Sequence, residues 1–502
     1  MAGRKPLYLR ALDVVEALGN RLPHPFWLFL ILIGVLAVVS EVAVQLGWSA
    51  SDGEQTFVAR SLLSGEALQW FVLHMVENFG HFEPLSLVLV MLMGVAIAEG
   101  AGLIPAVMRG VASAVPKALI VPALFALAAC GNIGSDAGVV VIPPLAAVVF
   151  RQLGRSPIVG LLVGYVGATA GFTANLFPAG TDVLAMSLTN AATGGDPEIS
   201  VLANWYFMIA SVFFLAILGT IVTRRVVEPR MPGGATTSED VEIPKLTPDE
   251  RHGVIWGSVA IVLVAIVWLF TIVPEGGVLR ADDPDMFWRS PFFKGLIPVL
   301  FSLFAIGGIV YGYVAKTIQK PDDILGFMSE SMRRMGPYIV LILAISQFIE
   351  AFQYTGMDKL VAYGGADVLR LLGAESAPIP FFLGFIVAVA VSNLFLGSAS
   401  AKWAIFAPIF VPMFMQLGFH PAFTQLVYRI GDSITNCVSP LYPYFPLLLG
   451  WIADEDPEQS RVGTVLSMLV PYALVLLVGW SIMLVVWFWL GLPVGPNSPI
   501  RM

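Results

Sequence analysis

Four asparagines, Asn132, Asn175, Asn393 and Asn436, stand in the middle of long apolar stretches of this sequence. Each offers a neutral amide oxygen, a hard donor suited to Na+. Ser135, Ser398 and Ser400 bring hydroxyls to the same places, and Asp136, Asp182 and Asp432 bring carboxylates. Two cations, Lys402 and Arg429, lie in the broken apolar stretches of the second half. A charge at mid-membrane costs about 2.5–3.5 kcal/mol on insertion scales, so each needs a partner or a purpose. Arg429 and Asp432 share one helical face and can offset each other. Simpler readings stand beside these. The pair could merely hold helices together, Lys402 could snorkel to an interface, Trp403 could sit in an interfacial belt, and the asparagines could only cap broken helices.

The elements that position these residues are broken helices. The cluster 131–136 interrupts the apolar stretch 117–150, and 173–182 interrupts 158–190. The clusters 392–400 and 431–440 interrupt 378–417 and 423–452. Non-helical backbone at membrane depth survives only where protein or water surrounds it. Four breaks therefore predict a shared, wet interior. Each break also exposes carbonyls at the end of one half-helix and N–H groups at the start of the next. Ser439-Pro440 reads as an N-cap and first helical residue. Ser398 and Ser400 can cap a helix beginning near Ala401, and Thr181 and Asp182 one over 183–190.

Composition fixes the solvent. Of 502 residues, 57% are hydrophobic and 12% charged, with a mean hydropathy of +0.82. So few charges cannot cover a water-soluble body of this size. The fold class expected is an all-α polytopic membrane protein. Seven runs read as simple crossings: 26–48, 85–108, 202–223, 253–273, 292–315, 336–353 (continuing amphipathically to about 372) and 463–490. Residues 49–84 read as an acidic, partly amphipathic loop. A Pro-, Gly- and charge-rich linker, 228–252, separates halves 1–227 and 253–502. Both halves carry a Gly-Ser pair, then prolines, then an asparagine and proline further on, which reads as an internal repeat. If 117–150 and 378–417 are re-entrant hairpins, five crossings between them make that repeat inverted. The layout is then about nine crossings and two hairpins. Most of the 27 Lys and Arg fall on one side if the N-terminus is cytoplasmic, which leaves the C-terminus periplasmic. The weak point of that topology is the acidic segment 453–461.

Other chemistries find little support. No basic tract with interleaved aromatics suggests nucleic acid. There is no phosphate-binding Gly-rich loop, no His-Glu-x-x-His and no Gly-x-Ser-x-Gly, so an enzyme is not expected. The runs VSNLFLGSASAKWAIFAPIF and YRIGDSITNCVSPLYPYFPLLL, with GSDAGVVVIPPLAAVVF and AGFTANLFPAGTD in the first half, resemble the AbgT family of p-aminobenzoyl-glutamate transporters. The resemblance covers nearly the whole chain, with Cys437 as a departure inside the last break. It implies a homodimer in the bacterial inner membrane. It also implies import of p-aminobenzoyl-glutamate or export of sulfonamide antimetabolites, driven by Na+ or by protons. Carried over by position, it places substrate on Asp182, Ser400, Trp403, Arg429, Asp432 and Pro440. It places Na+ on Asn393 and Asp432, helped in our reading by Ser398 or Asn436. First-half candidates are Asn132, Ser135, Asp136 and Asn175. In this reading Trp403 stacks on the substrate's ring and Arg429 holds its acceptor oxygens. The alternative is a Na+/dicarboxylate carrier; a membrane transferase or receptor and a channel stand further off.

Overall fold

The computed structural model describes residues 25–51, 56–116, 119–134, 137–231, 246–281, 290–396, 398–439 and 442–502. Ser135, Asp136 and Pro440 lie outside them, as does most of the linker. The described chain is helical, with one two-stranded antiparallel hairpin, Ser49–Ser51 (β1) against Thr56–Val58 (β2). Among the described residues, seven helical stretches are long and apolar enough to cross a bilayer. They are Pro25–Gln45, Gly65–Gly100, Trp205–Arg230, Pro248–Phe270, Leu296–Val314, Gly336–Tyr354 and Val462–Trp489. Each contains or overlaps one of the seven crossings expected from the sequence.

We number the helices in chain order. Helices α1 (Pro25–Gln45), α2 (Gly65–Gly80), α3 (Glu83–Gly100) and α4 (Leu103–Ala114) precede the first broken pair. That pair comprises α5 (Ile120–Cys130), α6 (Ala137–Gln152), α7 (Pro157–Ala170) and α8 (Gly180–Thr193). Next come α9 (Trp205–Val222), α10 (Pro248–Phe270), α11 (Leu296–Val314), α12 (Pro321–Arg334), α13 (Gly336–Tyr354) and α14 (Met357–Leu371). The second broken pair is α15 (Ile379–Asn393), α16 (Ala399–Met415), α17 (Pro421–Ile434) and α18 (Phe445–Glu455), and α19 (Val462–Trp489) closes the chain. All four expected interruptions are present. Those at 131–134 and 435–438 are short 3-10 turns.

Several details differ from the expectation. The region 49–84 is the β-hairpin followed by α2, whose N-cap Ser64 accepts from Ala67 N at 3.1 Å. The run 336–372 divides at Gly356, whose φ of +68° no helix continues through. An amphipathic helix, α12, precedes it where none was expected. The last break opens at Thr435 rather than Gly431. Ser439 does not cap α18, which begins at Phe445 behind Tyr444. Its carbonyl instead accepts from Tyr442 N.

The two halves share a set of contacts. Helices α7 and α17 both open with proline, Pro157 and Pro421. Counting alike from there, Gly167-Ala168-Thr169 matches Gly431-Asp432-Ser433. A Cβ on Gly167 would meet Phe125 O of α5 at 2.8 Å, and one on Gly431 would meet Ile386 O of α15 at 2.6 Å. Glycine is thus required where each helix leans on the first arm of its hairpin. At each hairpin tip an asparagine amide donates to the next residue's carbonyl, Asn132 to Ala168 O at 2.9 Å and Asn393 to Asp432 O at 2.8 Å. The hydroxyls of Thr169 and Ser433 each bond back one turn, to Tyr165 O and Arg429 O.

Candidate functional site

A cavity of about 400 Å³ lies where α3, α8, α16 and α17 meet, and residues of both broken pairs line it. Asn132, Thr173, Thr181 and Ala185 come from the first half, and Ser398, Ser400, Trp403, Tyr428, Arg429 and Asp432 from the second. That size suits a small organic solute, whose sites run about 300–1,000 Å³. Phe172, Leu92, Tyr338 and Met335 supply its less polar wall.

Two buried ion pairs frame it. Arg429 meets Asp182 at 2.7 Å, and Lys402 meets Asp432 at 2.6 Å. Arg429 and Asp432 therefore do not offset each other, although they share a helical face. Each reaches instead to a different broken segment, because unpaired buried charge is worse than a long-range contact. Asp182 also accepts from Asn175 Nδ2 at 2.8 Å and from Ala179 N at 2.6 Å, so it closes the start of α8 while holding Arg429. Arg429 donates to Thr173 O at 2.8 Å and lies 3.4 Å from Asn204 Oδ1. Lys402 is 1% exposed and does not snorkel.

Trp403 is 1% exposed and belongs to no interfacial belt. Its ring stacks on Tyr428 at 4.3 Å, and its indole N–H points to Thr189 Oγ1 at 3.0 Å and Ala185 O at 3.2 Å. Tyr428 in turn reaches Ala399 O at 2.7 Å and Asp432 Oδ1 at 3.1 Å. Trp403 thus meets the cavity only at its margin. The ring surface more open to it belongs to half-buried Phe172 and Tyr338.

The oxygens expected to take Na+ are already engaged. The Lys402 ammonium donates to both Asn393 Oδ1 and Asp432 Oδ1. Asn436 Oδ1 accepts from Asn393 Nδ2 at 2.8 Å. Ser398 Oγ accepts from Ala401 N at 3.3 Å and lies 3.1 Å from Ser400 Oγ, so it caps α16 as expected. In this arrangement the Asn393 and Asp432 oxygens face the Lys402 ammonium.

Among the described residues, seven buried side-chain polar atoms have no hydrogen-bond partner. Three of them belong to residues lining this cavity: Asn132 Oδ1, Thr181 Oγ1 and Arg429 Nε. One is an acceptor, one a donor, and the hydroxyl is both. All three atoms are shielded from a water-sized probe, so a ligand reaches them when these side chains turn toward the cavity. The structure also adds residues the sequence reading passed over: Thr173, Thr189, Asn204, Gln425 and Tyr428. Their one signal was polarity inside buried apolar runs. Thr189 donates to Gln425 Oε1 at 2.7 Å, and Gln425 to Asn204 Oδ1 at 2.8 Å, a chain that ties α8 to α17.

The model of the AbgT putative transporter family matches residues 10–502. This chain belongs to the AbgT family. It is 39% identical over 490 residues to the p-aminobenzoyl-glutamate transport protein of Escherichia coli K12, covering 96% of this chain and 95% of that one. It superposes on the MtrF structure of Neisseria gonorrhoeae, from a class described as antimetabolite efflux pumps. The TM-score is 0.90 at 38% identity, over 97% of this chain and all of that one. It also superposes on the Alcanivorax borkumensis YdaH transporter at a TM-score of 0.88 and 33% identity, over 94% of this chain and all of that one. This AbgT protein is accordingly a multi-pass membrane transporter. The Na+/dicarboxylate carrier reading finds no support among these relatives.

Proposed function

We propose that this protein is a gradient-driven secondary transporter that moves p-aminobenzoyl-glutamate or a sulfonamide antimetabolite through the cavity between its broken helices. The observation that carries this is one cavity lined from both broken pairs, with Arg429 and Asp432 of two buried ion pairs in its wall. An anionic or sulfonyl oxygen of the solute accepts from Arg429 Nε and Thr181. A substrate N–H donates to Asn132 Oδ1. The aromatic ring lies along Phe172 and Tyr338, with the Trp403–Tyr428 stack as a fixed wall behind. Ser400, Asp182 and Asp432 set the polarity of that wall, and Asn175 holds Asp182. The E. coli relative named for p-aminobenzoyl-glutamate and the MtrF neighbour supply the two solute classes. The coupling ion is Na+ or a proton, the two that the family resemblance implies.

The protein works in the bacterial inner membrane as a homodimer, which the family resemblance implies, and with an inverted repeat, which the spacing of its interruptions supports. The N-terminus lies in the cytoplasm. Glu455 pairs with Arg151, which supports placing the acidic segment 453–461 at the cytoplasmic end. The C-terminal tail pairs with the start of α17 through Phe419 and Arg501, which supports a periplasmic C-terminus.

The test is flux of labelled p-aminobenzoyl-glutamate and of a sulfonamide in proteoliposomes, with pH and Na+ gradients imposed separately. A pH or a Na+ gradient should drive at least one solute, and flux that ignores both would overturn the gradient-driven reading. Thr181→Val, which removes only the hydroxyl, should weaken binding about fivefold, the worth of roughly 1 kcal/mol of hydrogen bond. Binding unchanged in both Thr181→Val and Asn132→Leu would place the solute elsewhere.

A further inference from the structure

We infer that Gln425 is a positioning residue for solute recognition: through Asn204 on one side and Thr189 on the other, its amide holds Arg429 and Trp403 in register with each other. This rests on the proposed reading of the cavity, which gives Arg429 the solute's oxygens and makes the Trp403 stack the wall behind its ring. The direction of each bond in the chain is fixed from Asn204 outward. A guanidinium can only donate and a backbone carbonyl can only accept. Asn204 therefore turns Oδ1 to Arg429, 3.4 Å away, and donates from Nδ2 to Ala422 O at 2.7 Å. The same Oδ1 accepts from Gln425 Nε2 at 2.8 Å, which leaves Gln425 Oε1 to accept from the Thr189 hydroxyl at 2.7 Å. With its proton placed there, Thr189 Oγ1 presents a lone pair to the Trp403 indole N–H at 3.0 Å.

Two features set this chain apart from a simple tie between helices. Asn204 occupies the N-cap of α9, where an asparagine side chain ordinarily bonds the first turn, yet it makes no such bond. It serves Arg429 and Gln425 instead. The chain also holds more bonds than its atoms need. Thr189 can donate to Ala185 O at 2.8 Å, the Trp403 indole lies 3.2 Å from that same carbonyl, and Asn204 Oδ1 faces Arg429. Removing the Gln425 amide thus strands no buried polar group. What goes is the constraint on direction. Gln425 stands one turn before Arg429 on α17, so the amide and the guanidinium share a face. Gln425, Asn204 and Thr189 are buried behind the cavity, and the two ends of their chain, Arg429 and Trp403, line it. The chain joins the solute-binding face of α17 to α8 and to the start of α9, so it spans both halves of the molecule.

The experiment compares the wild type with Gln425→Met, which keeps the side chain's length, and with Thr189→Val, which cuts the chain at its other end. Gln425→Met should melt close to the wild type. It should nevertheless bind p-aminobenzoyl-glutamate about fivefold more weakly in a titration of purified protein, the loss expected from one hydrogen bond's worth of orientation. Trp403 emission, isolated as the difference between each protein and its Trp403→Phe counterpart, should change in both variants with no solute present. The double variant should lose no more affinity than the weaker-binding single one, because both cut the same chain. A Gln425→Met that melts lower, yet binds and emits like the wild type once folded, would reduce the amide to a structural tie and overturn the inference. One unchanged in melting, binding and emission would overturn it too. Should Gln425→Met not fold, Thr189→Val gives the same two readings. If the wild type binds neither p-aminobenzoyl-glutamate nor a sulfonamide, the solute reading fails by itself, and Trp403 emission still decides whether Gln425 positions the ring.

Discussion

Asp182 and Arg429 lie far apart in sequence and meet at 2.7 Å with almost no access to water. Breaking such a pair from one side leaves a charge with nothing to answer it. Asp182→Ala should therefore cost about 3–5 kcal/mol of stability, seen as a large drop in melting temperature. Adding Arg429→Met should restore part of that stability without restoring flux, because the second change removes the stranded charge but not the need for a donor. The aromatic side chains divide by exposure. Phe172→Ala should weaken aromatic solutes by about 0.5–1.5 kcal/mol in a binding titration. Trp403→Phe keeps the stack on Tyr428 and should act chiefly through the lost indole bond to Thr189. Equal losses for both would put the solute's ring against Trp403 after all. These partners were not legible in the sequence. Arg429 has an acid one turn along its own helix, and proximity in sequence pointed there. The pairing found depends on where α8 begins relative to α17, which no local pattern encodes.

Elements were more legible. Gly, Pro and amide residues inside apolar runs cannot continue a helix without loss, and all four clusters proved to be breaks. The β-hairpin, α12 and the division at Gly356 were missed because their signals are short and amphipathic rather than strongly apolar. The close approach of α17 to α15 yields a sharp test. Gly431→Ala would place a methyl 2.6 Å from the Ile386 carbonyl, a backbone atom that cannot swing away. It should destabilise by about 1–3 kcal/mol. Gly384→Ala, in the neighbouring α15, meets nothing within 4 Å and should leave the melting temperature unchanged or raise it. If the two glycines tolerate alanine alike, the helices are not pressed together as described.

At the scale of the whole molecule, ion pairs between distant segments gather on residues assigned to one side by the distribution of Lys and Arg. Arg155 meets Glu228 at 2.6 Å, Arg109 meets Glu250 at 2.7 Å, and Arg151 meets Glu455. Each is worth little alone. Together they speak for a common end, which the segment 453–461 joins through Glu455. The tail beyond α19 lies instead against Phe419 and His420, where Ile500 O accepts from His420 N at 3.0 Å. An alkaline phosphatase fused after Met502 should therefore be active in a bacterial host, as that enzyme matures only outside the cytoplasm. The same fusion within 232–245 should be inactive. The opposite pattern would invert the topology.

Sequence alone determined the solvent, the apolar runs and the four places where helix must stop, since these follow from transfer energies and backbone geometry that act locally. The family resemblance also rested on local runs around the same breaks. Only the tertiary structure decided which charge answers which, that Trp403 is walled in by Tyr428, and that Lys402 sits on the oxygens offered to a cation. Those outcomes depend on distances between segments brought together only by packing, and buried charge selects its partner by distance in space.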